Sequence, residues 1–232
     1  MAFVFPPEPP VAIPVAGSSD QFAVRRVYCV GRNYAAHTRE MGFDPDRELP
    51  FFFCKPTDAV VPVAYGQTLE LAYPSQTQNF HHEAELVVAI GKNGSDIPLD
   101  QALDHVWGYA VGLDMTRRDL QMRMREQGRP WEIGKAFDRS APIGPIHPAA
   151  QVGHFTQGAL WLTVNDQSKQ QSDASFLIWS VPEMVAYLSK FFRLEPGDLI
   201  FTGTPEGVGA VQAGDIMKVG IERLGELTVK VV

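Results

Sequence analysis

His81-His82-Glu83-Ala84-Glu85-Leu86-Val87-Val88-Ala89-Ile90 is the run from which the fold is read. Its apolar second half predicts a strand buried in a sheet. Side chains two apart on a strand leave from the same face, so Glu83 and Glu85 project together at its mouth. A second apolar run, residues 107–113, ends in Asp114. If the two strands are neighbours, three carboxylates converge. Like charges at that range raise one another's pKa, and a divalent cation removes the conflict. Oxygen ligands without cysteine select a hard ion: Mg²⁺, Mn²⁺ or Ca²⁺. The competing reading places Glu83 and Glu85 on the solvent side of an edge strand.

Short strands dominate on either side of this run. Segments 26–31, 51–55, 59–63, 198–202, 215–221 and 226–231 read as strands, and 158–165 with 169–172 as a hairpin around Asp166. Helices are fewer. Asn33 is placed to cap one over 34–41, with Gly42 as its terminator. Residues 99–106 form another, and Thr116 caps a third over 117–127, stopped by Gly128 and Pro130. Ser180 and Glu183 make a capping box, with Met184, Leu188 and Phe191 as the apolar stripe of a helix running towards Pro196-Gly197. Strands with irregularly interspersed helices predict an α+β fold, not the regular alternation of a doubly wound sheet. Residues 1–22, with Pro6, Pro7, Pro9, Pro10 and Pro14, read as an extended arm or short edge strands, and 23–232 as one domain.

A chain of 232 residues buries about 70% of its unfolded surface and needs no covalent staples. A net charge of −7 and a pI near 5.3 argue against nucleic acid and anionic membrane as partners. Cys29 and Cys54 sit in apolar runs and read as buried thiols of a reducing compartment. No stretch approaches the ~20 apolar residues of a membrane span, and no basic, signal-like segment opens the chain. A cytoplasmic location is the expectation.

His37 and Glu40 share a helix face at i and i+3. A carboxylate beside a histidine fixes its tautomer and suits it to strip a proton from water, and the polar segment 42–50 would let that helix act as a lid. Arg118 and Gln121 follow Asp114 closely. Arg118 suits a bidentate clamp on a substrate carboxylate and Gln121 a donor to a ketone or enolate oxygen, whereas Arg117, Arg123 and Arg125 read as outer, solvated charges. Lys135 and Lys55 each lie among apolar neighbours, either snorkelling or aimed into a site. The loop Gly203-Thr204-Pro205-Glu206-Gly207 follows a strand, and its N–H groups and the Thr204 hydroxyl suit a carboxylate. His81 and His82 read as supporting residues rather than ligands. The serine-hydrolase elbow, the H-E-x-x-H zinc motif, the dinucleotide fingerprint and the P-loop are all missing from the sequence.

Taken in order, Val30-Gly31-Arg32-Asn33-Tyr34-Ala35-Ala36-His37, Lys55-Pro56, His82-Glu83-x-Glu85, Gly112-Leu113-Asp114-Met115-Thr116, Arg118-Asp119-Leu120-Gln121, Lys135 and Thr202-Gly203-Thr204-Pro205 resemble the fumarylacetoacetate hydrolase family, and within it the acylpyruvate hydrolases. The resemblance implies a β-rich, mixed-sheet roll, a homodimer, and Mg²⁺ or Mn²⁺ held by Glu83, Glu85 and Asp114. It implies a water-activating dyad of His37 and Glu40, with Lys135, Gln121 and Thr204 holding the oxo-acid end of a small-molecule substrate. Arg118 and Lys55 are carried over as further substrate contacts. The implied reaction is hydrolysis of a C–C bond in a 2,4-dioxo acid, giving pyruvate and a second acid. Oxaloacetate decarboxylation, isomerisation of unsaturated dioxo acids and non-catalytic binding of small dicarboxylates are the rivals. The contact for a second substrate carboxylate stays open among Arg32, Arg139 and the segment 42–50.

Overall fold

The computed structural model describes residues 3–35 and 48–232. Its backbone is a mixed sheet that carries the site, with a second sheet packed across one face. In the large sheet the order is Phe51–Lys55, Arg26–Gly31, Asp198–Phe201, Ala84–Ile90, Val106–Leu113, Ala141–Ile143 and Val60–Pro62, with His147–Pro148 also paired to Val106–Leu113. Arg26–Gly31 runs parallel to Asp198–Phe201, and the central pairs are antiparallel. The second sheet orders Gln167–Asp173, Ala159–Val164, Ile216–Ile221, Gly225–Val231 and Thr68–Leu71. This is the α+β, mixed-sheet architecture expected from the sequence.

Every residue of Ala84–Ile90 is buried, which explains why its sequence is apolar without alternation. The strand still has two faces. Leu86, Val88 and Ile90 join the core between the sheets, with Val111, Leu160, Leu162, Val219 and Leu227. Val87 and Ala89 join a second cluster with Val27, Cys29, Ala110, Leu199 and Phe201. Ile13, from the proline-rich arm, is fully buried in this second cluster. Its strand Ala12–Pro14 pairs with Gln21–Ala23, so that part of the arm is docked.

Several local expectations are corrected. Thr116 does not cap the following helix. Thr116–Arg117 pairs with Phe80–His82, the Thr116 hydroxyl donates to the Asp114 carbonyl, and the helix is Arg118–Glu126. Asn33 is buried, and its amide bonds Trp179 and Thr202, tying two loops together. The helix it was expected to cap, over 34–41, falls largely outside the described residues. The capping box of Ser180 and Glu183 is present, but its helix, Val181–Leu188, stops short, and Phe191 is exposed. The hairpin turns at Asn165-Asp166, both in the left-handed region that a tight two-residue turn demands. Cys29 is buried as expected; Cys54 is exposed, because it lies on the open face of an edge strand. Among the described residues, no helix is long and apolar enough to cross a membrane.

Candidate active site

Register alone brings the three carboxylates together. Glu85 lies opposite Gly112 and Ala84 opposite Leu113, so the next pair out is Glu83 and Asp114. The Asp114 N–H donates to the Glu83 carbonyl at 2.9 Å. Glu83, Glu85 and Asp114 share the parity of Val87, Ala89 and Ala110, hence one face of the sheet. Gly112 leaves room there, since a Cβ would come within 2.5 Å of Val87. One oxygen from each carboxylate lies within 4.8 Å of the others, and all three residues are buried. The solvent-side reading of Glu83 and Glu85 is thereby excluded.

Three cations surround this trio. Lys135 Nζ donates to Glu83 at 2.6 Å and to Asp114 at 2.7 Å. Arg118 pairs with Glu83 and donates to Gln121 Oε1 at 2.5 Å. Lys55 Nζ stands 2.8 Å from Asp114 Oδ1, but off the line a hydrogen bond needs, which leaves that buried oxygen short of a partner. Lys55 also donates to Ser140 Oγ at 2.9 Å and to the Lys135 carbonyl. It is buried behind the cavity lining and buttresses Lys135 and Asp114.

Glu85 has no cation against it among the described residues; it accepts from the Gly203 N–H at 2.8 Å. Burial first, then the Asp114 and Glu83 charges, raise its carboxyl well above the ordinary range. A divalent ion fits this donor set. It would relieve Glu85 of its like-charged neighbours and give Asp114 Oδ1 a partner. Burial pushes the Lys135 ammonium down, but Asp114 and Glu83 outweigh it and hold the group above the usual lysine value.

Glu83, Glu85, Asp114, Arg118 and Lys135 line a cavity with Gln121, Gly203 and Thr204. Sequence reasoning missed Gln170. Its Oε1 accepts from the Ala84 N–H at 3.0 Å, and its Nε2 donates to the Pro205 carbonyl at 2.9 Å and to Thr204 Oγ1 at 2.9 Å. The two backbone partners fix which end of the amide is which. The signal was a polar residue at the one buried position of a strand, Gln167–Asp173, that contains no apolar residue. His82 lies 3.3 Å from Gln170, and burial, ahead of all other influences, pushes its ring down to about 4, so it is neutral at pH 7. His81 bonds Asn79. Neither histidine belongs to the carboxylate cluster. Arg125, expected on the outer surface, lines the cavity; Arg139 does not, and donates to the Glu70 carbonyl on the surface. His37 and Glu40, the expected base and its partner, lie outside the described residues, as does most of the segment 42–50.

The family described as Fumarylacetoacetate (FAA) hydrolase C-terminal matches residues 26–232. A fumarylpyruvate hydrolase of Ralstonia sp is 47% identical over 188 residues, covering 81% of this chain and 95% of that protein. The mitochondrial oxaloacetate tautomerase FAHD1 of Homo sapiens is 41% identical over 207 residues, 89% of this chain and 91% of its own. Among solved structures, the fumarylpyruvate hydrolase from Pseudomonas aeruginosa in complex with Mn²⁺ and pyruvate superposes with a TM-score of 0.98 at 70% identity, covering 100% of this chain and 99% of that one.

Proposed function

Because the chain belongs to the fumarylacetoacetate hydrolase family, we propose that it hydrolyses the C3–C4 bond of a 2,4-dioxo acid, fumarylpyruvate foremost, to pyruvate and a carboxylic acid. The observation that carries this reading is the convergence of Glu83, Glu85 and Asp114 on a cavity that Lys135, Gln121 and Thr204 also line. The fumarylpyruvate hydrolases among its relatives support the substrate class.

Glu83, Glu85 and Asp114 would hold Mg²⁺ or Mn²⁺, which when bound supplies Lewis-acid polarisation of the oxo acid's oxygens. Gln121 and the Thr204 hydroxyl orient the oxo-acid end, and Arg118 fixes Glu83 and Gln121 while adding positive charge beside the substrate carboxylate. His37, oriented by Glu40, takes a proton from water, an assignment that rests on their sequence spacing. The water oxygen bonds to C4, the C3–C4 bond breaks, and its electron pair passes to C3 and the 2-oxo oxygen. The Lys135 ammonium, held protonated by its carboxylate neighbours, offsets that negative charge. A proton delivered to C3 completes pyruvate.

The test is pyruvate release from fumarylpyruvate, acetylpyruvate and oxaloacetate by Mn²⁺-loaded protein. Turnover of the dioxo acids should vanish with EDTA, and His37→Ala should cut it about 10²- to 10⁴-fold while Mn²⁺ still binds. No pyruvate from any dioxo acid would overturn the reading. Oxaloacetate tautomerisation or decarboxylation is the second reading, favoured by the human tautomerase and the Dictyostelium discoideum decarboxylase among its relatives. Decarboxylation needs no attacking water, so His37→Ala would spare it.

The same reading takes residues 1–22 as an arm on a catalytic domain of 23–232, in a cytoplasmic homodimer. Exposed Phe3, Phe5, Phe176 and Phe191 support association with a second copy, and the unpaired thiols Cys29 and Cys54 a reducing compartment. Light scattering on the eluting protein tests the dimer.

A further inference from the structure

The cavity has two chemically different ends. Arg118, Gln121, Met122 and Arg125 all line it, and their i, i+3, i+4, i+7 spacing defines one face of the helix Arg118–Glu126. At 1.5 Å per residue, Arg125 stands about 10 Å farther along the axis than Arg118. The Arg118 end is tied to Glu83 and the carboxylate trio. At the other end stands Arg32, which also lines the cavity.

Arg32 is a non-glycine residue in the left-handed region, φ 55°, at the end of its strand. Such backbone cost concentrates where a side chain must be aimed. Its guanidinium carbon sits 5.5 Å from the centre of the Phe51 ring, and its Nη1 3.8 Å from the Glu48 carboxylate. Burial, then the charge of Arg125, push the Arg32 guanidinium below its usual range, with Glu48 opposing. The two guanidiniums therefore share one half-buried space, with the Glu48 carboxylate beside Arg32. Phe51, Phe53 and Trp131 give the same cavity an apolar patch, the two phenyl centroids 5.3 and 5.9 Å from that of Trp131, with Phe51 against Arg32 and Phe53 against Lys135. An extended seven-carbon diacid spans about 8 Å between its terminal carbons, two three-bond steps of ~3.8 Å. That is commensurate with the helical distance from Arg118 to Arg125. In fumarylpyruvate the unsaturated C5–C6 pair beside the far carboxylate would lie against this aromatic patch.

We propose that Arg32 and Arg125 clamp the far carboxylate of a seven-carbon dioxo diacid, so that the site selects dianionic over monoanionic acylpyruvates. The proposal rests on the hydrolase reading above; it takes Arg32 from the options that the sequence left open and adds Arg125, which the sequence had placed outside the site.

Two measurements test it, one of them independent of turnover. By calorimetry on Mn²⁺-loaded protein, 2-oxoheptanedioate should bind about 10- to 100-fold tighter than 2-oxoheptanoate, the value of a charge-assisted contact. Neither acid has the 4-oxo group that hydrolysis requires. Arg125→Gln should lower that ratio at least tenfold, and Arg125→Lys should restore part of it. In steady state, Arg125→Gln and Arg32→Gln should each raise KM for fumarylpyruvate far more than for acetylpyruvate. Equal binding of the two oxo acids by the wild type, or equal losses on both substrates in the variants, would overturn the clamp. If no dioxo acid turns over, the hydrolase reading falls, while the binding ratio still judges the clamp.

Discussion

Gln170 shows how a residue that touches no substrate can decide what a neighbour offers. With its Nε2 donating to Thr204 Oγ1, that oxygen is already an acceptor, so the hydroxyl proton is left for the cavity. Gln170→Glu replaces the donor by an acceptor and turns the hydroxyl round. The expected result is a KM for fumarylpyruvate raised about 10-fold or more, the value of a hydrogen bond to a charged group, with a smaller change in kcat. Adding Thr204→Val to Gln170→Glu should cost little more, whereas Thr204→Ser alone should stay near wild type. A residue that merely holds the loop together would show additive losses and a matching fall in Tm. At this scale the sequence is legible for the carboxylates and for Lys135, because charge inside an apolar run is conspicuous. It is silent on Gln170 and misleading on Arg125. Those depend on which way a helix or an edge strand faces, and sheet register decides that.

The helix Glu132–Lys135 is only one turn long, yet it aims Lys135 at Glu83 and Asp114. It has no side-chain cap and is too short to hold itself. What fixes it is close approach to the helix Arg118–Glu126: a Cβ on Gly134 would lie 2.7 Å from the Gln121 backbone nitrogen and 2.9 Å from its Cα. Backbone cannot yield as a flexible side chain does, so Gly134→Ala must push the two helices apart. A loss of about 1–3 kcal/mol is expected, read as a lower urea midpoint, together with a drop in kcat as Lys135 and Gln121 lose their common alignment. Unchanged stability and turnover would show that the packing has slack. Strand positions were legible to within a residue or two where apolar runs were long, as at Ala84–Ile90 and Val106–Leu113. The start of Arg118–Glu126 was not, because pairing of Thr116–Arg117 with Phe80–His82 overrode the capping signal.

For the molecule as a whole, the site is a local liability that a metal ion converts into support. Glu85 is buried among like charges, and its carboxyl is raised. A raised carboxyl contributes its stability fully below the unfolded value, near pH 4, and loses it as pH rises through the folded value. Glu85→Gln should therefore raise the Tm of EDTA-treated protein at pH 7 relative to wild type, with the difference shrinking as pH falls towards 4. In the same variant the Tm gain from Mn²⁺ should largely disappear. For the wild type, Mn²⁺ at 100 times its Kd contributes about 2.7 kcal/mol, which at this chain length is roughly 5–10 °C. A variant that loses stability without metal, or keeps the full Mn²⁺ shift, would contradict the assignment of Glu85 as a ligand.

The three carboxylates and the ring of Lys55, Lys135 and Arg118 around them balance in sign. A divalent ion then arrives as an uncompensated double charge, and a doubly negative acid cancels it. Entry becomes a journey down an electric gradient that ionic strength flattens within about 10 Å at 0.1 M salt. After bond cleavage that cancellation is shared between two smaller anions, so each fragment is held less firmly than the acid that came in.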